Sequence, residues 1–226
     1  MIPHIIHQTY VTKDVPSSCK SYIEKLISLH PNWSYRFYDD TACDHLIKSY
    51  FPELYHAFQS SNYPIVKADI FRIAVVYLHG GFYFDIDMDF HQSIESLCDK
   101  RAVFAIENKM SEEDCSRLGV IQPIRIANYA FGAEMAHPFL YHLIEKLIVK
   151  QEKVLDLRTE DDILNYSGPG FVTESFHSQS HSDIHLLELP DRLCSKCLSQ
   201  RCQFGKYASH DHMGSWRWES NSFHSD

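Results

Sequence analysis

The fold is decided by the stretch PIVKADIFRIAVVYLHGGFYFDIDMDF, residues 64–90. Its first half predicts a buried helix that ends at Gly80-Gly81, because apolar residues follow helical spacing and cover nearly every face. Its second half alternates apolar and polar residues, which predicts a strand over residues 82–90 with one apolar face. In such a strand Asp85, Asp87 and Asp89 would share the opposite face.

A strand, a helix and a second strand are predicted before that stretch. Residues 2–7 are mostly apolar, a helix can begin at Pro16-Ser17-Ser18, and residues 32–38 alternate and are rich in aromatic side chains. This order favours an α/β protein with a mostly parallel central sheet flanked by helices. Later segments predict a strand at 103–106, a helix from His137-Pro138, a turn at 167–170 and a strand at 183–189. Since repeats and linkers are lacking, we expect one domain over residues 1–226.

The composition excludes several classes of protein. The 226 residues include 21 Lys and Arg against 30 Asp and Glu, so the net charge is −9. Nucleic acid is therefore an unfavourable partner, because proteins bind it largely through Lys and Arg. The longest apolar run, residues 73–78, is too short for a membrane span, and the N-terminus lacks a signal-peptide pattern, which together predict a soluble cytoplasmic protein. The seven cysteines are an odd number, so we expect free thiols rather than a disulfide framework.

The three aspartates raise the question of what balances their charge. Like charges about 7 Å apart on one strand face raise one another's pKa unless a positive charge lies among them. A divalent cation such as Mn²⁺ or Mg²⁺ would supply that charge, and such ions pair one or two carboxylates with substrate phosphates. The alternative is a solvent-facing acidic strand edge, because a D-x-D pattern alone is short.

A second candidate pair lies in the predicted buried helix. Asp69 and Arg72 are one helical turn apart among apolar residues. One interpretation is an intrahelical ion pair, whose net contribution to stability would be small. The other is a polar pocket in which the carboxylate and the guanidinium hold hydroxyl groups of a ligand. The sequence favours neither.

The C-terminal region holds a third cluster, HDHMGSWRW at residues 210–218. Imidazole and hydroxyl groups there could complete a divalent cation site, and Trp216 could cover a ring. The alternative is a polar tail with two anchoring tryptophans. Cys194, Cys197, Cys202 and His210 could also form a zinc site in a non-enzymatic binding module, although their spacing matches no common zinc pattern.

Five ordered blocks carry a resemblance to a known family. The blocks are IPHIIHQTY at 2–10, the segment from Pro31-Asn32-Trp33 to Asp39-Asp40, ADIFR at 68–72, GGFYFDID at 80–87 and HMGSW at 212–216. In this order the chain resembles the DXD glycosyltransferases of family 32 from end to end. That family includes yeast-type initiating mannosyltransferases and bacterial capsule and lipopolysaccharide sugar transferases, and it is related to the glucosylating domains of large clostridial toxins.

The resemblance implies a fold and a reaction. The expected fold is GT-A, a Rossmann-like nucleotide-sugar-binding sheet flanked by helices. The expected reaction is retaining transfer of a hexose, namely mannose, galactose or glucose, from a GDP- or UDP-sugar. The acceptor would be a hydroxyl of a glycan or glycolipid, with Mn²⁺ or Mg²⁺ as cofactor. Peripheral contact with a membrane stays open.

The resemblance also implies roles for individual residues. Asp87 would bind the metal directly with His212 as a second protein ligand, and Asp85 would contact the ribose, the sugar and the metal region. The donor-binding set would include Asp69 and Arg72 on the sugar hydroxyls, with Asn128 near the sugar and Ser215 and Trp216 over the diphosphate. The same set would hold Tyr83 and, beside the nucleotide at the end of the first strand, His7, Gln8 and Thr9.

The sequence departs from the family pattern in three respects. Ala68 stands where similar sequences often have Ser, and Asp89 adds a carboxylate for which the family supplies no role. The chain is also short for the family, which suggests a trimmed acceptor side. The other enzyme class considered is a phosphohydrolase of the haloacid dehalogenase type. Its D-x-D motif requires Thr or Val two residues after the second Asp, where this chain has Asp89.

Overall fold

The computed structural model of the protein describes residues 1–118, 123–151, 157, 159–193, 202–211 and 213. The strands are β1 (Ile5–Thr9), β2 (Ser34–Tyr38), β3 (Gly81–Phe84), β4 (Met88–Phe90), β5 (Ala102–Lys109), β6 (Ile124–Ala133), β7 (Ile184–Leu187), β8 (Gln203–Phe204) and β9 (Ala208–His210). The helices are α1 (Ser17–Leu29), α2 (Asp40–Tyr50), α3 (Pro52–Ser60), α4 (Pro64–His79), α5 (Glu112–Leu118), α6 (Pro138–Gln151), α7 (Glu160–Tyr166) and α8 (Pro169–His177).

Six strands form the central sheet in the order β2-β1-β3-β6-β5-β7. The pairs β1–β2, β1–β3 and β5–β7 are parallel, whereas β6 runs antiparallel to both β3 and β5. The mixed α/β architecture with a mostly parallel sheet is therefore confirmed. Because β1 and β3 are parallel neighbours, their carboxyl ends reach the same edge, where open α/β sheets bind ligands.

The prediction of one continuous strand over residues 82–90 is wrong. β3 ends at Phe84, a turn follows at residues 86–87, and β4 then pairs with β9 in a separate sheet of order β4-β9-β8. After β3 the chain leaves the central sheet. The Asp87 carbonyl accepts a hydrogen bond from Asp211 N at 2.9 Å, so the chain pairs here with residues that follow β9. Asp89 consequently lies on β4, where its Oδ1 is 2.7 Å from Lys25 Nζ. The three aspartates do not share one strand face.

The predicted turn at residues 167–170 also differs from the structure. Gly168 is the N-cap of α8 and Pro169 is the first residue of that helix, a position that suits proline because its missing N–H would be unsatisfied there. Only the first part of the segment is therefore a turn.

Apolar side chains cover both faces of the central sheet. Tyr83 packs against the cluster that contains α4 and α6, and Phe82 and Phe84 pack against the cluster that contains β4 and the α1 residue Leu26. The alternation predicted for this strand is confirmed over β3. The buried course of α4 is confirmed as well, since its residues from Asp69 to Val76 are all buried.

Two glycines let the chain turn from α4 into β3. Gly80 has φ 65° and Gly81 has φ 97°, a region that favours glycine. A Cβ atom on Gly81 would lie 2.5 Å from the Ile5 carbonyl oxygen of the neighbouring strand. The close approach of β3 to β1 therefore requires glycine, and it places Asp69 and Arg72 of α4 beside the end of β3.

In the described part of the chain, no helix combines the length and the apolar character that crossing a membrane requires.

Candidate active site

Three potential metal ligands meet beyond the carboxyl end of β3. Asp85 follows the last residue of β3, Asp87 lies in the turn before β4, and His210 is the last residue of β9. One ligand atom from each lies within 4.8 Å of the other two. We call these three residues the metal-ligand group.

Asp85 is oriented by contacts to one of its two carboxylate oxygens. Oδ1 accepts a hydrogen bond from the Tyr83 hydroxyl at 2.9 Å and lies 3.3 Å from Arg72 Nη2. The backbone N–H of Asp85 donates to the Tyr129 carbonyl at 2.9 Å. These contacts direct Oδ2 toward His210, whose Nε2 is 3.9 Å away.

Asp87 is held in the same way by the C-terminal segment. Its Oδ2 accepts a hydrogen bond from Met213 N at 2.9 Å, and its Oδ1 lies 3.1 Å from His210 Nε2. The His210 ring in turn stacks on Tyr129 with the ring centroids 4.3 Å apart. Each carboxylate thus has one oxygen fixed by the protein and one directed at the imidazole.

The charges of the metal-ligand group depend on one another. Burial raises the pKa of Asp85, against the opposing effect of the Arg72 guanidinium. Burial also disfavours the ionised form of Asp87, but the hydrogen bond and charge of His210 outweigh it and lower the pKa of Asp87. The same bond, with the charges of both aspartates, outweighs burial and raises the pKa of His210. The shifts of His210 and Asp87 therefore favour an imidazolium paired with the Asp87 carboxylate.

The donor atoms fit a divalent cation. Two carboxylate oxygens and one imidazole nitrogen are ligands that ions such as Mn²⁺ accept. A divalent cation would bring two positive charges to the two carboxylates, whereas an imidazolium brings at most one. Among the described residues, this group is the cluster of His, Cys, Asp and Glu side chains suited to a metal, and it contains no thiol.

A second polar cluster lies beside the metal-ligand group, inside the protein. Its members are Asp69, Arg72, Asn128 and Ser167, and we call it the Asp69 cluster. Asp69 Oδ1 accepts from Asn128 Nδ2 at 2.9 Å and lies 3.3 Å from Arg72 Nη1, while Oδ2 accepts from Ser167 Oγ at 2.8 Å. Arg72 Nη1 also donates to the Asn128 carbonyl at 3.1 Å. Burial raises the pKa of Asp69 to about 6.

The structure contains the intrahelical ion pair of Asp69 and Arg72, while the ligand pocket stays a prediction. The intrahelical ion pair exists, and Arg72 also reaches out of the helix to Asp85. Asp69 is only 2% exposed and Arg72 only 3%. In this conformation Arg72 orients Asp85, and Asp69 orients Arg72.

His7 and Thr9 lie near the carboxyl end of β1, and both side chains have partners inside the protein. His7 is fully buried, with Nε2 2.9 Å from the Gly80 carbonyl and Nδ1 3.2 Å from the Tyr38 hydroxyl. Its ring therefore offers no surface for the nucleotide contact that the family resemblance implies. Thr9 is half-buried, and its hydroxyl donates to the Tyr38 carbonyl at 2.8 Å.

Several predicted site residues lie outside the described residues. These are His212, Ser215 and Trp216 of the expected donor site, and Cys194 and Cys197 of the zinc alternative. Cys202 is described, and its sulfur is not part of a disulfide among the described residues. His210, which that alternative also needs, faces the two aspartates instead.

Sequence reasoning missed the roles of two residues. His210 was assigned to a general C-terminal cluster, although its place two residues before His212 made it an equal candidate for the metal. Ser167 was noted only as part of a turn, and its contact with Asp69 spans 98 positions of the chain. No local pattern reveals such a contact.

Comparison with a family model identifies the region that contains this site. Residues 16–104 match the model described as a glycosyltransferase sugar-binding region containing a DXD motif. The matched region includes α4, β3 and β4, and with them Asp69, Arg72, Asp85 and Asp87.

Two curated relatives are similar over most of this chain. Mannosyl phosphorylinositol ceramide synthase CSH1 of Saccharomyces cerevisiae is 33% identical over 174 residues, which cover 76% of this chain and 42% of the relative. The initiation-specific alpha-1,6-mannosyltransferase of Candida albicans is 25% identical over 186 residues, covering 72% of this chain and 48% of the relative. The chain thus spans less than half the length of each.

Solved structures share the fold. The PaToxG glycosyltransferase superposes with a TM-score of 0.58 at 16% identity, covering 78% of this chain and 69% of that one. Mouse xyloside xylosyltransferase 1 superposes with a TM-score of 0.56 at 14% identity, covering 94% and 98%. This likeness shows a GT-A fold. The matching sugar-binding region and the relatives confirm the predicted resemblance to the DXD glycosyltransferases of family 32.

Proposed function

We propose that the protein is a metal-dependent retaining glycosyltransferase that moves a hexose from a nucleoside diphosphate sugar to a hydroxyl group of a glycan or glycolipid. One observation carries the proposal: Asp85, Asp87 and His210 each direct a ligand atom at the same point, and all three atoms lie within 4.8 Å. The point lies at the sheet edge where α/β folds bind nucleotides.

Mannose is the hexose that the relatives favour. The names of both relatives refer to mannose. One is a mannosyl phosphorylinositol ceramide synthase, and the other is an alpha-1,6-mannosyltransferase. We therefore propose GDP-mannose as the first donor to test and a glycolipid as the first acceptor. The single domain over residues 1–226 and the cellular location stay predictions.

In the proposed mechanism, the metal-ligand group holds the cation that balances the negative charge of the diphosphate. Asp87 and His210 would hold Mn²⁺ or Mg²⁺ directly, with Asp85 beside them. The bound cation would neutralise the negative charge that develops on the diphosphate as the bond to the anomeric carbon breaks. Arg72 favours the ionised form of Asp85 against the effect of burial and contacts its Oδ1, which leaves Oδ2 for the cation.

The donor sugar is proposed to lie against the Asp69 cluster. Asp69, Arg72 and Asn128 would bind its hydroxyl groups, which requires them to exchange some of their present hydrogen bonds for bonds to the sugar. Tyr83 acts through Asp85, since its hydroxyl donates to that carboxylate. We propose that Thr9, the last residue of β1, contacts the nucleotide and the diphosphate together with Ser215 and Trp216.

A donor screen tests the proposal. The purified protein is incubated with Mn²⁺ and a panel of GDP- and UDP-sugars, and nucleotide release is measured with and without a chelator. We expect release from one donor, greatest for GDP-mannose, that the chelator abolishes. NMR of the product with a glycolipid acceptor then reports whether the anomeric configuration is retained. If no donor is bound or hydrolysed in a metal-dependent way, the proposal is wrong.

A further inference from the structure

Gln8 occupies a position that its assignment to nucleotide binding does not explain. It is the fourth residue of β1 and only 1% exposed. Its Nε2 donates to the Asp85 carbonyl at 3.1 Å, and its Oε1 accepts from the Tyr35 hydroxyl at 3.0 Å. A backbone carbonyl can only accept, so the amide orientation is fixed by this contact. Both ends of the amide are therefore engaged inside the protein.

The Gln8 side chain continues the sheet past the point where backbone pairing stops. β1 and β3 pair through Ile6 with Phe82 and through His7 with Tyr83, and β3 ends at Phe84. Beyond that point the side-chain amide of Gln8 donates a hydrogen bond to the Asp85 carbonyl, in place of a backbone N–H of the neighbouring strand. On the opposite side, Asp85 N donates to the Tyr129 carbonyl. The main chain of Asp85 is thus held from both sides.

Tyr35 completes this arrangement from the next strand. It lies on β2, and burial raises its pKa to about 12, so its hydroxyl stays protonated and able to donate to Gln8. A chain of two hydrogen bonds therefore runs from β2 through the side chain on β1 to the end of β3. Any rotation of the Asp85 backbone would break the inner bond of this chain.

We propose that Gln8 is a positioning residue for the metal site, which fixes the backbone of Asp85 so that its Oδ2 faces His210. The proposal rests on the proposed function, since it assumes that the metal-ligand group binds a cation. It replaces the direct nucleotide contact implied by the family resemblance, because the amide is only 1% exposed and both its nitrogen and its oxygen have partners inside the protein. Tyr35 supports Gln8 in the same role.

Manganese binding is the measurement that tests this proposal. Mn²⁺ affinity, alone and with GDP, is measured by electron paramagnetic resonance for the wild-type chain, Gln8→Leu and Tyr35→Phe. Removing groups that orient metal ligands commonly costs about 10- to 100-fold in metal affinity. We expect Gln8→Leu to weaken Mn²⁺ binding by about tenfold or more. Tyr35→Phe, which loses only the outer bond, should weaken it less.

Gln203→Leu is the matched control. Gln203 is a fully buried glutamine on β8 whose amide bonds to Arg192 at 2.8 and 3.1 Å. The substitution is the same and removes the two hydrogen bonds with Arg192, neither of which reaches Asp85. We expect this variant to keep its Mn²⁺ affinity while it loses a similar amount of stability in urea.

Four outcomes would overturn the proposal. Wild-type Mn²⁺ affinity in both Gln8→Leu and Tyr35→Phe would show that the amide does not position Asp85. An equal loss in Gln203→Leu would show that the effect is general destabilisation. Loss of GDP binding with unchanged binding of Mn²⁺ alone would show direct nucleotide contact by Gln8. Absence of Mn²⁺ binding in the wild-type chain would overturn the proposed function itself, and the positioning role with it.

Discussion

The Asp69 cluster and the metal-ligand group are neighbours that differ in where their carboxylates find partners. Both oxygens of Asp69 are bound by protein donors, and the carboxylate is almost fully buried. Asp85 and Asp87 each have one oxygen bound by the protein, while the other faces His210. Arg72 joins the two clusters, because it contacts both Asp69 and Asp85.

We infer from this difference that the Asp69 cluster stabilises the fold, whereas the metal-ligand group is arranged to bind a cation. A buried carboxylate with all of its partners in the protein stabilises its surroundings, and removing it leaves an unpaired charge. Asp85 and Asp87 both face the imidazole of His210, which supplies at most one positive charge. A divalent cation would balance the two carboxylates better. Substitutions in the Asp69 cluster should therefore affect stability first, and those in the metal-ligand group should affect metal binding and transfer first.

The strongest test of this contrast is Asp87. We expect Asp87→Asn and Asp87→Ala to abolish sugar transfer, a loss of about a thousandfold or more, since neutralisation by a bound metal contributes several kcal/mol to the transition state. The fold should persist, because Asp87 lies in a turn at the sheet edge. Nucleotide release from the donor and circular dichroism measure the two effects.

Asp89→Asn is the control for Asp87. Asp89 belongs to the same acidic run, but its carboxylate pairs with Lys25 on α1. We expect activity close to that of the wild-type protein. Substantial transfer by either Asp87 variant, or an equal loss in Asp89→Asn, would contradict the assignment of Asp87 to the metal.

The Asp69 cluster should show the opposite pattern in a stability measurement. Removing one partner of a buried ion pair typically costs about 3–5 kcal/mol, so Asp69→Ala should lower the free energy of unfolding by about that amount. Ser167→Ala removes a single hydrogen bond to the same carboxylate and should cost about 1.5–3 kcal/mol. Urea titrations of both variants give the comparison. A wild-type midpoint for Asp69→Ala would mean that the carboxylate is not held as the structure shows.

The difference between the clusters also explains which parts could be predicted from the sequence. The helix over α4, its glycine stop and the alternation in β3 depend on residues close together in the chain, and all three were predicted. The end of β3 could not be predicted, because alternation continues through Asp85 and Asp87. The chain leaves the sheet there for contacts with residues 211 and 213, which are more than a hundred positions away.

The same distance in sequence limits what could be predicted of the site. Asp85 and Asp87 stand out as a short local pattern, and family resemblance adds Asp69 and Arg72. The groups that orient them do not form a pattern. Ser167 bonds to the Asp69 carboxylate, Gln8 to the Asp85 backbone carbonyl, and His210 faces the carboxylates of Asp85 and Asp87. Each comes from another element, and a serine, glutamine or histidine is common in any chain.

His210 offers a smaller and more specific test of the metal-ligand group. Removing even an indirect partner of a metal ligand costs about 10- to 100-fold in affinity, so His210→Gln should weaken Mn²⁺ binding by at least about tenfold. His91→Gln is the control, because His91 contacts Ser209 on the same small sheet but not the aspartates. Paramagnetic resonance titrations with Mn²⁺ compare the two. Equal affinity in His210→Gln and His91→Gln would remove His210 from the metal site.

His7 extends the contrast to a third buried polar group, and it should behave like the Asp69 cluster. Both ring nitrogens have partners in the protein, and burial lowers the pKa of His7 to about 3. Between that value and the unfolded pKa near 6.5, the unfolded chain binds a proton that the folded one does not, so stability falls as the pH falls.

The slope of that loss is the last expected effect. One proton corresponds to about 1.4 kcal/mol per pH unit. Below pH 6.5 we expect the free energy of unfolding of the wild-type protein to decline more steeply than that of His7→Gln, by up to about this amount for each unit. The other buried histidines titrate in both proteins, so the difference isolates His7. Parallel curves in urea titrations from pH 7 to pH 4.5 would show that His7 accepts a proton in the folded state, and that its site is open rather than closed.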